Sequence, residues 1–370
     1  MGKTRLPRPD NFVPATVGLP NEENTVWLNV IAQCLCNADP FVKYFLANEH
    51  LTDLRKKYWI PLGKGKVAKR LAQLFLNMWN PSKHEILRDM KNKFKEIIGQ
   101  VGPQWEGDNL HDAFEFCCWL LDHLNEELNL RASKEMYRVL QFSKDKSAQV
   151  EAETIAYHLS RNKSIIQDCF IGFLGSSLTC SGCNKEVMTF DPCLGLGLPI
   201  PIPDDNPDGS VSLADCFNSY TAPEQLNLED SWHCVRCQKK ISGTVKQVKI
   251  WTTPQILVIV LKRFSKRVAH SPLGKQVDFP IEGLDLSPWV KSPRNEGNIY
   301  DLFGVVTYFQ DDSTSDSGYN EAYCKNPVDH AWRKFSDEMV EFVESDAFSS
   351  NDDIRKEAYI LFYGRRGSAD

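Results

Sequence analysis

Two short motifs, Cys180-Ser-Gly-Cys183 and Cys234-Val-Arg-Cys237, restrict what this chain can fold into more than anything else in it. Each C-x-x-C pair sits in a turn-like setting, with Thr179 and Gly182 around the first and Trp232-His233 before the second. Two such knuckles are the ligand set of a tetrahedral Cys₄ zinc ribbon, in which thiolates from two turns face one another. The bland alternative is two unrelated pairs of buried thiols. A thioredoxin-type redox motif fits less well, because there are two pairs and neither opens an evident helix. With all four ligands supplied by protein the site is closed, so it is expected to be structural. The expectation is one structural Zn²⁺ on Cys180, Cys183, Cys234 and Cys237, with the long segment between the pairs carried as an insert.

The other cysteines do not alter this picture. Twelve in 370 residues are too few for a disulfide scaffold. A hydrophobic content of 42% with 25% charged residues is ordinary globular composition, which excludes global disorder and fibrous classes. The formal net charge of −6 gives no general drive toward nucleic acid or anionic membrane. No apolar run approaches the roughly 20 residues needed to span a bilayer. The opening MGKTRLPRPD carries Lys3, Arg5 and Arg8 but no apolar segment follows, so a secretory signal is not expected. A cytosolic or nuclear protein with a short disordered leader, residues 1–15, is the resulting expectation.

Periodicity divides the remainder. Residues 24–36 predict a helix capped at Asn24 or Thr25, with Trp27, Val30, Ile31 and Cys34 on one stripe. Residues 111–128 predict another, with Ala113, Phe116, Cys117, Leu120, Leu121, Leu124 and Leu128 inward. Residues 66–100 read as helical with a break at Asn80-Pro81. Then the character changes. Ile256–Leu261 is a continuous β-branched run, the pattern of a strand covered on both faces. Leu302–Tyr308, Ala322–Lys325, Ala331–Phe335 and Ala358–Tyr363 are further strands, and Pro201–Pro207 and Gln310–Gly318 are loops. The fold class is α+β, one composite unit with an α-rich first third.

Several segments together resemble the ubiquitin-specific proteases, papain-like cysteine peptidases that cleave after the ubiquitin C-terminus. Gly18–Leu35 resembles the family's cysteine box, and Asp112–Phe116 with Leu120–Asp122 its second helical motif. Both C-x-x-C pairs match its fingers; Leu261–Phe264 and Tyr300–Val306 match palm strands. Gly318–Tyr323, Ala331–Phe335 and Ala358–Tyr363 resemble its histidine box and closing strand. The resemblance covers residues 18–363 and implies a right hand: a helical thumb over about 16–130, zinc-ribbon fingers over about 165–250, and a β palm, within a domain of residues 16–366.

The departures from the family pattern carry the functional expectation. Where the family has its nucleophilic cysteine stands Val26; where it has the histidine, Tyr319; where it has the carboxylate or amide that orients the histidine, Ser336, with Asp337 next. Valine has no lone pair to attack a carbonyl, and a phenol of pKa about 10 is a poor base at pH 7. Where such residues act as a unit, removing one typically costs about 10⁶ in kcat. Asn21 corresponds to the oxyanion-hole amide and is kept, but an oxyanion hole without a nucleophile accelerates little. Cys34 and Cys36 lie eight and ten positions downstream and read as core thiols, as do Cys117 and Cys118. His330 has no thiol to activate. The expectation is an inactive ubiquitin carboxyl-terminal hydrolase-like protein; the alternative is a residually active deubiquitinating cysteine protease cutting the isopeptide bond after ubiquitin's last glycine.

Binding can outlive chemistry. The resemblance implies that Asp112 and Glu115, at i and i+3 of one helix, meet arginines of the ubiquitin tail; a plain solvated helix face is the bland alternative. Against an open tail channel stand Glu22-Glu23-Asn24 in place of a small turn, Tyr308 in place of the usual leading histidine, Tyr319, and a longer loop bearing Asp311, Asp312 and Asp316. Weakened ubiquitin binding is therefore expected, with ubiquitin or another protein of the ubiquitin pathway as partner.

Overall fold

The computed structural model describes residues 12–22, 24–56, 65–80, 84–131, 147–202, 209–263, 274–292, 297–310, 318–344 and 346–367. Glu23, Phe264, Asp311, Asp312, Asp316 and most of the leader lie outside them.

The first helix, α1 (Val26–Cys36), is buried along its whole length from Trp27 to Cys36, not only along its apolar stripe. Its polar residues explain how. Asn29 Nδ2 donates to the carbonyls of Leu19 and Pro20 at 3.3 and 3.2 Å, and Gln33 Nε2 donates to Val17 at 2.9 Å. The preceding segment therefore lies along α1 and lends carbonyls in place of water to the two amide nitrogens, while Asn29 Oδ1 and Gln33 Oε1 are buried without a hydrogen-bond partner. Around it pack α2 (Asp39–Leu46), α3 (Glu49–Lys56), α4 (Lys66–Met78), α5 (His84–Val101) and α6 (Ala113–Leu128). The break expected at Asn80-Pro81 separates α4 from α5. The start of α4 is capped from a distance: the buried Glu127 carboxylate accepts from Val67 and Ala68 N–H at 3.3 and 2.8 Å. Helices α7 (Ser147–Arg161) and α8 (Ile165–Phe170) follow, and α8 buries Ile166, Cys169 and Phe170 in the core shared with α1–α6.

Beyond α8 come β1 (Gly172–Thr179), β2 (Glu186–Cys193), β3 (Leu196–Pro199), helix α9 (Leu213–Thr221), β4 (Glu224–Leu226), β5 (Thr244–Thr252) and β6 (Ile256–Lys262). The rest of the chain supplies β7 (Ile299–Gln310), β8 (Gly318–Lys325), β9 (Trp332–Ser336), β10 (Met339–Val343) and β11 (Ala358–Arg365). The larger sheet runs β10-β9-β8-β7-β11-β6-β3, antiparallel except that β3 pairs parallel with β6. The smaller runs β2-β1-β5-β4 and carries the cysteine turns at one end. Gln310 and Gly318, expected in a loop, are the closing residues of the β7–β8 ladder.

The continuous apolar run of β6 divides by parity. Ile256, Val258 and Val260 belong to the core shared with the helices, while Leu257, Ile259 and Leu261 belong to a second core on the opposite face, with α9, Phe279 and Phe348. Strand β11 divides likewise, Ile360 and Phe362 against Leu361 and Tyr363. A strand flanked by two cores needs no polar alternation, hence the unbroken run.

Candidate functional site

The four predicted cysteines converge. Cys180 and Cys183 lie in the turn after β1, and Cys234 and Cys237 in a turn between β4 and β5; the four Sγ atoms lie within 4.8 Å of one another. The two turns repeat one local design. Asn184 and Gln238 each follow the second cysteine of a pair with positive φ, 55° and 57°, and each returns its N–H to the carbonyl of the first cysteine at 2.8 Å. Sγ–Sγ distances across the pairs are 3.6 Å (Cys183–Cys234) and 3.9 Å (Cys180–Cys237). Zn–S bonds of about 2.3 Å in a tetrahedron set the sulfurs about 3.8 Å apart, whereas a disulfide needs about 2.05 Å. The donor set therefore fits a zinc ion. Burial disfavours the Cys234 thiolate, but the N–H groups of Cys237 and Arg236 and the thiols of Cys180 and Cys183 outweigh it and bring it down to about 7. The neighbouring Cys237, hydrogen-bonded to Cys183, is pushed up to about 12. Four thiols this close do not all ionise without a countercharge, which a divalent cation supplies.

The second constellation lies where α1 begins, packed against β8. Val26 is the first residue of α1 and half-buried. Asn21 stands beside it: its Oδ1 accepts from Thr25 N–H at 3.0 Å, and its amide also favours the carboxylate of Asp337. Thr25 flanks the helix without a side-chain cap; its hydroxyl donates to the Glu22 carbonyl at 2.9 Å. Tyr319, on β8, is 50% exposed and stacks on its cross-strand partner Phe309, ring centroids 4.9 Å apart. Ser336 ends β9, and Asp337 forms the tight turn to β10 with φ of 51°. Asp337 Oδ1 accepts from Asn29 Nδ2 at 3.0 Å. Burial holds the Asp337 carboxyl above the usual range, against the pull of Asn29, Asn21 and the Lys91 charge. Lys91 itself is buried, on α5. The sequence placed Asn21 and Asp337 at this site, but not Asn29 of α1 or Lys91 of α5, which only the fold brings to Asp337.

Asp112 and Glu115 share the first turn of α6, as expected, but their roles diverge. Asp112 is the N-cap: Oδ1 accepts from Glu115 N–H at 2.8 Å, while Oδ2 accepts from the Tyr359 hydroxyl of β11 at 2.5 Å. Burial and Asp112 both raise the Tyr359 phenol, so it stays protonated and donating. The capping role was legible, because Asp followed by Glu three residues on before an apolar run is a helix-start signature. Tyr308 lies near enough to Asp112 that this carboxylate, after burial, raises its phenol. Its ring covers Gly318 so closely that an added Cβ there would overlap the phenol. Cys34, Cys36 and Cys117 are buried, with thiols raised by that burial. Cys118, also expected in the core, is half-exposed on α6, and its thiol is pushed up to about 12. His330 sits in the turn before β9 with φ of 57°.

The family model described as ubiquitin carboxyl-terminal hydrolase matches residues 17–363. The chain belongs to that family. Ubiquitin carboxyl-terminal hydrolase 2 of Bos taurus is 31% identical over 347 residues, covering 94% of this chain and 54% of that protein. Ubiquitin carboxyl-terminal hydrolase 4 of Saccharomyces cerevisiae (strain RM11-1a) is 30% identical over 380 residues, covering 94% of this chain and 39% of that protein. The chain thus spans about half the length, or less, of these two relatives. Among solved structures, the SAGA DUB module containing Ubp8, bound to monoubiquitin, superposes with a TM-score of 0.71 at 22% identity, covering 97% of this chain and 72% of that one. A yeast SAGA DUB module gives 0.68 at 24%, covering 96% and 71%. These likenesses show that the helices, sheets and cysteine turns form the catalytic-domain fold of this hydrolase family. Among the described residues, no helix is long and apolar enough to cross a membrane.

Proposed function

We propose that this member of the ubiquitin carboxyl-terminal hydrolase family is catalytically inactive and acts in the ubiquitin pathway as a protein-binding scaffold, its cysteine turns holding one structural zinc ion. One observation carries the reading. The first turn of α1, where the resemblance puts the nucleophile, presents an aliphatic Val26 beside Asn21, and the facing strand presents Tyr319. An acyl-transfer site of this kind needs a nucleophile, a base and a group that orients the base. A branched hydrocarbon supplies no electron pair, and a tyrosine in place of the histidine supplies no imidazole to act as the base.

The same geometry supports a weakened grip on the ubiquitin tail. Asp112 already spends both carboxylate oxygens within the protein, and Tyr308 fills the space over Gly318. A basic tail would compete with a helix cap and a tyrosine for Asp112, which leaves exposed Glu115 as the more accessible charge. Ubiquitin bound by the Ubp8 module gives the proposal its partner class.

Ubiquitin with a thiol-reactive group at its C-terminus tests the catalytic half. No covalent adduct is expected at any cysteine; an adduct, or hydrolysis of a ubiquitin C-terminal amide, favours the residually active alternative. Calorimetry tests the binding half. Intact ubiquitin and ubiquitin lacking its last four residues should bind equally weakly or not at all. A tenfold advantage for intact ubiquitin, about 1.4 kcal/mol, would mean that the tail is still gripped.

A further inference from the structure

Strand β10 is an edge of the large sheet, paired on one side only, with β9. It also carries the two most exposed large apolar side chains among the described residues, Met339 at 63% and Phe342 at 64%. Edge strands are usually blunted by charge, proline or cover, because their free N–H and C=O groups template further pairing. Here the sequence Met-Val-Glu-Phe-Val holds no proline and a single charge, Glu341. The ladder closes with Ser336 opposite Met339 across the two-residue turn Asp337-Glu338. In such a hairpin the closing pair is hydrogen-bonded, so Met339, Glu341 and Val343 direct their backbone groups inward to β9. Val340 and Phe342 direct theirs outward. Val340 packs against the core on the helix side of the sheet and Val343 against the core on the other, which leaves Phe342 and Met339 flanking the free edge, one on each face.

We propose that β10 is a docking edge that accepts, as an added strand, an extended segment of a different protein in which apolar residues alternate with Lys or Arg. Charge selects this occupant. Glu341 and Glu344 are exposed on or beside the edge, and Glu338 adds a third carboxylate, shared with Arg88 at 3.7 Å. The nearest cross-strand cation, Lys334, is paired with Glu321 at 2.9 Å. A second copy fits poorly. The antiparallel register that uses all of Met339–Val343 is centred on Glu341, which places Glu341 opposite Glu341 and Glu338 opposite Glu344. Like charges directly opposite destabilise a ladder, and the next allowed registers, shifted by two, shorten it. A strand with a basic residue opposite Glu341 reverses the sign of that central term, puts further cations beside Glu338 and Glu344, and still covers Phe342 and Met339.

Fluorescence anisotropy with a labelled, capped Lys-Val-Lys-Phe-Lys-Val-Lys peptide tests this, against the same peptide with glutamate for lysine. The basic peptide should bind at least about tenfold tighter, with the advantage shrinking as salt rises. Phe342→Pro removes an outward N–H and the exposed ring while sparing the β9 ladder; it should abolish binding with an unchanged circular dichroism spectrum. The double variant Glu341→Lys, Glu344→Lys should reverse the preference and favour the glutamate peptide, a gain that misfolding cannot produce. Equal binding of the two peptides, or full binding by Phe342→Pro, overturns the proposal. A dimer in analytical ultracentrifugation that Phe342→Pro dissociates also overturns it, by making a second copy the occupant.

Discussion

Histidine 50 shows how a single side chain sets a pH limit on this molecule. It is buried on α3 against Phe45, ring centroids 5.4 Å apart, and its Nδ1 has no hydrogen-bond partner. Burial first, and the nearby Lys69 second, bring its pKa down to about 4. The unfolded chain binds this proton at about 6.5, the folded one only near 4, so between those values the unfolded state holds more protons and stability falls as pH falls. Above about 6.5 the contribution is fully present. His50→Gln should flatten the dependence of the melting temperature on pH between 6.5 and 4, leaving the neutral-pH value lowered only by lost packing. An unchanged slope in calorimetric melts would assign the acid sensitivity to another group. Asp112 teaches the complementary lesson: a residue that resembled a ligand contact from its position is, in the fold, first a helix cap and a tyrosine acceptor.

The smaller sheet shows what an element needs from outside itself. Strand β2 fully buries only Phe190, and β4 is three residues long, so little apolar burial holds the cysteine turns together. A bound ion would contribute directly to the folding of such an element. Metal analysis of the purified protein should return one zinc per chain. Cys180→Ser should reduce this to near zero and speed hydrogen exchange across β1, β2 and β5, while β6, β7 and β11 keep their protection. Retained zinc in that variant would place the ion elsewhere. Acidification should release zinc as well, since each ligand must be a thiolate to bind.

At the scale of the whole molecule, the helical region and the large sheet are joined through a seam of polar groups. Asp337 in the β9–β10 turn takes Asn29 from α1, and its neighbourhood holds Asn21 and the buried Lys91 of α5. The Asp337 carbonyl accepts Leu19 N–H at 2.9 Å, and Gly18 is pressed so closely on Glu338 that no side chain fits. Asp337→Ala would remove a carboxylate that the Lys91 charge favours and leave Asn29 with one fewer acceptor. We expect a loss of about 1.5–3 kcal/mol in urea unfolding, the range for a hydrogen bond to a charged acceptor. A loss below about 0.5 kcal/mol, the range of ordinary surface substitutions, would show that the seam does not couple the two regions.

Sequence alone determined what depends on local periodicity and on chemistry with strict spacing. The stripes of α1 and α6, the two-faced run of β6 and the paired C-x-x-C turns were legible because helix period, strand period and tetrahedral thiolate ligation leave their signature within a few dozen residues. The residues at positions 26, 319 and 336 were equally plain as identities. What only the tertiary structure decided is who meets whom across the chain: Tyr359 on Asp112, Tyr308 over Gly318, Asn21 turned toward Asp337, and β10 left as an apolar edge. Each pairs side chains from distant segments, and a hydrogen bond or an exposed edge depends on three-dimensional placement that no local pattern encodes.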